Sequence, residues 1–145
     1  MGEGGIKVEL ELHTTIDDQG QLEKNTVNET GVLYQRQNMD VLTYDEKLED
    51  GQVVHNLLTI QSDQVSVKRT GPVSMHQRFD MNRITENVYQ HPHGNIHMET
   101  TTLSYEYSPL DRQTSGLLRL YYTVRLNGID ERKHTLTLSL KEATK

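Results

Sequence analysis

Cysteine is absent from the 145 residues, so disulfides and thiolate metal sites are both excluded. Tryptophan is missing as well, and phenylalanine occurs once, as Phe79, beside seven tyrosines. Only 33% of the residues are hydrophobic, which implies a thin core of Leu, Val and Tyr with polar residues at some inward positions. Positive charge is also short: 15 Lys and Arg stand against 21 Asp and Glu, for a net charge of −6. A surface that grips nucleic-acid phosphates needs clustered Lys and Arg, so no nucleic-acid partner is expected. No apolar run approaches a membrane span, and no charged-then-apolar leader opens the chain. Ile6 stands where a myristoylation signal needs Ser or Thr. These features point to a cytoplasmic protein without a membrane partner.

Catalytic signatures are lacking too. There is no Gly-x-Ser-x-Gly elbow, no phosphate loop and no dinucleotide fingerprint. Asp17-Asp18 and Glu49-Asp50 read as turn chemistry. The expectation is a protein that is not an enzyme and carries no cofactor.

What the chain does have is alternation. Ile6, Val8, Leu10, Leu12 and Ile16 share one face, with Lys7, Glu9, Glu11 and His13 on the other. This period of two is that of a half-buried β-strand, and helical periodicity never outlasts about one turn. It recurs at Leu118, Leu120, Tyr122, Val124 and Leu126, then at Leu136, Leu138 and Leu140. Turn signals fall at short intervals, among them Asp17-Asp18-Gln19-Gly20, Gln37-Asn38, Glu49-Asp50-Gly51, Gly71-Pro72 and His91-Pro92-His93-Gly94. The pattern predicts one all-β antiparallel domain over residues 1–145, with about eight to eleven strands and flexible ends at 1–5 and 143–145. A closed up-and-down barrel and an open sandwich both solve the edge problem.

Parity fixes one connection. A two-residue turn at Asn127-Gly128 would pair Leu126 with Ile129 and set even residues opposite odd ones. The apolar residues are even-numbered on both flanking strands, so the loop must contain an odd number of residues or a bulge.

Polar residues on apolar parities are the candidates for function. Arg69 continues the face of Val65 and Val67, and Gln77 sits between Met75 and Phe79. Glu86 lies between Ile84 and Val88, Glu46 follows Leu42 and Tyr44, and Tyr34 and Arg36 share the parity of Val32. A buried charge needs a partner, and Arg offers a planar fork for carboxylate or phosphate. Two readings follow. Arg69 pairs with Glu46 or Glu86 as a structural strut, or Arg69, Gln77, Glu46, Glu86, Tyr34, Tyr44 and Tyr122 line a site for a small polar or anionic ligand. The His91-Pro92-His93-Gly94-Asn95-Ile96-His97 segment, with Glu99, offers imidazoles and a carboxylate. Pro92 and Gly94 make it a turn, and His91 and His93 read as exposed turn residues rather than metal ligands. His13, His55, His76 and His134 are scattered on strand faces and need no special role.

The segments "TGVLYQRQN", "LTYDE", "VKRTGPVSMHQRF", "YQHPHGNIHMETTT" and "GLLRLYYTVRLNG" resemble the YwiB-like family of small bacterial proteins, a domain of unknown function. The matching positions include Gly31, Tyr44, Glu46, Arg69, Gly71, Met75, Gln77, Phe79, Gly94 and Tyr122. The resemblance implies a calycin-like, lipocalin-type barrel rather than a sandwich. It implies no activity, and His91 and His93 replace a Thr and an aromatic there. The leading expectation is a barrel holding a small polar or amphiphilic molecule. A protein-interaction module, as monomer or homodimer, is the second, and a hydrolase or isomerase the last.

Overall fold

The computed structural model describes residues 4–111 and 114–143. Ten antiparallel strands form one sheet among them: β1 (Ile6–Asp18), β2 (Gln21–Gln35), β3 (Asp40–Lys47), β4 (Val53–Ile60), β5 (Gln64–Thr70), β6 (Met75–Asp80), β7 (Thr85–His91), β8 (Gly94–Ser108), β9 (Gly116–Leu126) and β10 (Asp130–Glu142). The order is β6-β5-β4-β3-β2-β1-β10-β9-β8-β7, so each strand lies beside its sequence neighbour except at one place. β1 pairs with β10, which joins the two ends of the chain along a ladder from Val8↔Glu142 to Asp17↔Lys133. Ala143, expected in a flexible end, instead donates its N–H to the Lys7 carbonyl at 2.9 Å; Gly4 and Gly5 precede β1 and are exposed, and the end residues 1–3, 144 and 145 lie outside the described ones.

The barrel closes between β6 and β7, and that seam carries no ladder. A single bridge, Ser74 with Gln90, ties the strands through two backbone bonds of 3.0 and 2.8 Å. The Thr85 hydroxyl donates to the Arg78 carbonyl at 2.6 Å, and Gln77 Nε2 reaches Thr100 Oγ1 on β8 at 2.9 Å. The result is a nearly closed barrel, fastened at its seam by side chains.

Turn geometry decides which face of each strand looks inward. Leu126 pairs with Asp130 across the three-residue loop Asn127-Gly128-Ile129, as parity requires. Asn127 (φ 50°) and Gly128 (φ 73°) are both left-handed, and Ile129 is 81% exposed. The β1–β2 turn is the opposite case. Gln19 (φ 54°) and Gly20 (φ 90°) form a two-residue turn with Asp18 paired to Gln21. Even residues of β1 therefore face odd residues of β2, and Gly31 and Leu33 point inward. Val32, Tyr34 and Arg36 belong to the outer parity, where the Arg36 guanidinium lies 5.4 Å from the Tyr34 ring centre. Tyr34 is thus not an interior residue, contrary to the sequence expectation.

β7 and β8 repeat the lesson. His91 pairs with Gly94 across Pro92-His93, so the inward residues of β7 are Thr85, Asn87 and Tyr89. Ile84 and Val88 are 57% and 45% exposed, and Glu86 between them faces outward with them. Farther along β8 a bulge at Leu103 exchanges parity, so that Thr100 and Thr102 give way to Tyr105 and Tyr107 on the inner face.

The core fills one end of the barrel. Val8, Leu33, Leu42, Ile60, Val65, Phe79, Leu118, Leu138 and Leu140 are essentially inaccessible, and each such aliphatic or aromatic side chain contributes about 1.5–3 kcal/mol. Leu110, from the β8–β9 connection, is buried against the same cluster. Tyr105 donates to the Gln61 carbonyl and Tyr107 to Asp40, while Gln35 Nε2 donates to the Leu110 carbonyl at 2.8 Å. Leu10, Phe79, Leu120, Tyr122, Leu136 and Leu138 are buried as their parity predicts. Leu12, Val67 and Met75 are only partly so, and they sit toward the other end.

Candidate functional site

That other end is polar inside. One row of cross-strand neighbours runs Gly31, Tyr44, Asn56, Arg69, with Met75 next. Gly31 is needed there because a Cβ would lie 2.5 Å from the Thr43 carbonyl oxygen. Arg69 Nε donates to Asn56 Oδ1 at 3.2 Å and Nη2 to Glu46 Oε1 at 3.1 Å. The Arg69 and Glu46 side chains keep 25% and 28% of their surface, so water reaches the pair and its net worth is at most about 1 kcal/mol. Asn56 is fully inside and anchors itself by donating to the Val54 carbonyl at 3.3 Å. Burial, then the nearby Glu46 charge, pushes the Tyr44 phenol up to about 12, against the pull of Arg69. Tyr44 is therefore a protonated donor at neutral pH.

Facing this row across the interior is the inner wall of β7 to β10. Tyr122 meets Phe79 edge-on at 4.5 Å and stacks on His134 at 5.0 Å. Burial holds the Tyr122 phenol well above its ordinary range. Burial, and secondarily the Arg132 charge, lowers His134 to about 4, so its imidazole is neutral at physiological pH. Three buried side-chain atoms among the described residues have no hydrogen-bond partner: Asn87 Oδ1, Thr102 Oγ1 and Arg132 Nε. Thr102 is 7% exposed, and Arg132 reaches Asp18 only as a 3.5 Å ion pair. Asn87 has just a long contact from Nδ2 to Met98 Sδ at 3.8 Å.

Of the residues singled out by sequence, Arg69, Glu46, Tyr44, Gln77 and Tyr122 do point into the barrel. Gln77 serves the seam through Thr100 and does not join Arg69. Glu86 pairs on the outer face with His97 at 2.9 Å, not with Arg69. His91 and His93 sit in their turn with rings 5.2 Å apart, and no group of three metal-ligating side chains occurs among the described residues. Sequence reasoning passed over Asn56, Asn87, Thr102, Arg132 and His134. The signal for the last two was present, since Arg132 and His134 share the even parity of Leu136, Leu138 and Leu140.

The row supplies a donor at Tyr44 and an acceptor at Glu46, and the wall a donor at Arg132, an acceptor at Asn87 and a hydroxyl at Thr102 that does either. The arrangement can bind and orient a polar molecule.

The chain is 28% identical over 137 residues to a protein of Bacillus subtilis (strain 168) described as "Uncharacterized beta-barrel protein YwiB", covering 94% of both chains. The crystal structure of ywiB protein from Bacillus subtilis superposes with a TM-score of 0.82 at 26% identity, over 97% of this chain and 94% of that one. Residues 10–138 match the family described as "Domain of unknown function (DUF1934)", and the chain belongs to that family of β-barrel proteins.

Proposed function

We propose that the protein is a non-enzymatic barrel that holds a small polar molecule at its polar end, between the Arg69–Glu46 pair and the wall carrying Asn87, Thr102 and Arg132. The observation that carries this reading is the set of three buried polar atoms on that wall without a hydrogen-bond partner, of which Arg132 Nε has only its 3.5 Å ion pair with Asp18. Leaving such an atom unsatisfied costs about 1–3 kcal/mol. Folded proteins meet this cost with ordered water or with a ligand. Arg69 and Glu46 neutralise each other, and the part of each that stays accessible gives a guest something to bind at the rim. Lipocalin-type barrels house guests inside, a likeness of architecture that raises the prior without identifying a molecule.

Native mass spectrometry of gently purified protein tests the reading. It predicts an added small mass on the unaltered chain that falls away in Arg69→Met while the fold survives. A bare polypeptide in both samples, with a drop in thermal stability for the variant, makes Arg69 a strut instead.

A second reading rests on a different observation. Ile84, Val88, Leu103 and Tyr121 leave 57%, 45%, 48% and 38% of their surface exposed on the outer side of β7–β9. Such a cluster suits a protein partner or a second copy. Val88→Lys shifting a dimer to a monomer in light scattering would favour it.

A further inference from the structure

A cleft lies at the mouth of the barrel's opposite, apolar end. It encloses about 670 Å³ between the β2–β3 turn and the β4–β5 turn, with Tyr107 and Pro109 on its third side. The lining carries the carboxylates of Asp40 and Asp63 beside the side-chain amides of Gln37, Asn38 and Gln61, which donate as well as accept. Asp40 is the informative residue. It opens β3 on the inward parity and is 8% exposed, yet it carries an ionisable group facing a space large enough for a small molecule.

Its recorded partner is the Tyr107 hydroxyl, which donates to Oδ2. One such bond occupies a single site on a carboxylate that has about four, and a buried negative charge calls for a positive one. Burial, reinforced by the bond to Asp40 and its charge, raises the Tyr107 phenol well above its ordinary range, so Tyr107 stays a neutral donor and adds no countercharge. The cation that does line the cleft, Arg36, is drawn toward the outer surface, over the Tyr34 ring. The floor is firm: Tyr105 fixes the β4–β5 turn through the carbonyls of Gln61 and Gln64, and the Arg36 N–H closes the β2–β3 turn on the Met39 carbonyl at 2.9 Å. A cleft with a fixed floor and a largely buried carboxylate can receive an ammonium group.

We propose that this cleft is a second binding site, distinct from the barrel interior, for a small molecule bearing a protonated primary amine, with Asp40 as its counter-ion. Hydroxyl or further amino groups of the guest meet the amide side chains at the rim, and Asp63 favours a second positive group.

The test is an amide-resolved NMR titration of the whole protein at constant ionic strength, with putrescine as the probe and 1,4-butanediol as its uncharged counterpart. Putrescine is expected to give saturable shifts confined to the two turns and the start of β3, and butanediol none. Asp40→Asn keeps an acceptor for Tyr107 and is expected to weaken putrescine at least tenfold, while Glu23→Gln, which removes the same charge from an exposed position on β2, leaves it unchanged. Equal binding of diol and diamine, shifts scattered over the acidic surface, or an unaltered affinity in Asp40→Asn would each overturn the proposal. The diamine–diol comparison uses the unaltered chain, so it stands even where the variant folds poorly.

Discussion

The two ends of this barrel are made from the same strands and differ in what those strands turn inward. At one end Leu33, Leu42, Ile60, Val65, Leu118 and Leu140 close on one another, capped by Leu110 and by the Tyr105 and Tyr107 hydroxyls. At the other, Arg69, Glu46, Tyr44, Arg132 and His134 share the interior with the half-covered Leu12, Val67 and Met75. Stability lives at the first end. The second gives up some packing and accepts unpartnered polar atoms, a local departure from good folding practice of the kind that functional sites show.

Truncation separates the ends most sharply. Phe79→Ala and Leu42→Ala remove side chains that are 1% and 0% exposed and are expected to lose about 3–5 and 2–5 kcal/mol in denaturant unfolding. Met75→Ala, at the polar end, is expected to lose less than about 2 kcal/mol, since the site is partly open to water and leaves no sealed cavity. Equal losses would erase the contrast. Gly31→Ala, where the polar row begins, drives a methyl onto the Thr43 carbonyl and is expected to cost about 1–3 kcal/mol.

Acid reports on the polar wall through His134. His134 has its folded pKa lowered from 6.5 to about 4, so protonation favours the unfolded chain. The stability it supports is fully present above pH 6.5 and is lost as the pH falls through 4. With a discount for its partial exposure, the loss is about 1–2 kcal/mol. Thermal midpoints between pH 7 and 4.5 should therefore fall less steeply in His134→Phe than in the unaltered protein. Parallel curves would place His134 in water. The smallest effect belongs to Thr102→Val, which removes an unpartnered hydroxyl and, in ligand-free protein, is expected to leave stability unchanged or raise it by up to about 1 kcal/mol. A clear destabilisation would mean that the hydroxyl has a protein partner.

Much of this was legible in the sequence, and the failures share one cause. Alternation in β1, β9 and β10 placed Leu10, Leu120 and Leu138 correctly, because the apolar stretch of each strand keeps to one parity. The odd loop at Asn127 followed from comparing parities across a turn. The same comparison at Gln19-Gly20 places Tyr34 outside, because a two-residue turn opposes even to odd. Pro92-His93 does the same for Glu86, where the exposed Ile84 and Val88 imitate a buried face. The bulge at Leu103 is harder to foresee, since Thr100, Thr102, Tyr105 and Tyr107 form a plausible inner face only once parity is allowed to change mid-strand. For the site, local pattern found Arg69 and Glu46 on separate strands. It could not bring Asn87, Thr102 and Arg132 to the opposite wall, because that depends on closing the sheet at an unladdered seam.

The most direct measurement of the central claim is a high-resolution crystal structure of gently purified protein, inspected at the polar end. The account predicts density for a small non-protein molecule within hydrogen-bond reach of Asn87 Oδ1 and Thr102 Oγ1, on the side facing Arg69. Finding those atoms bonded to protein groups, or to ordered water alone, would contradict it.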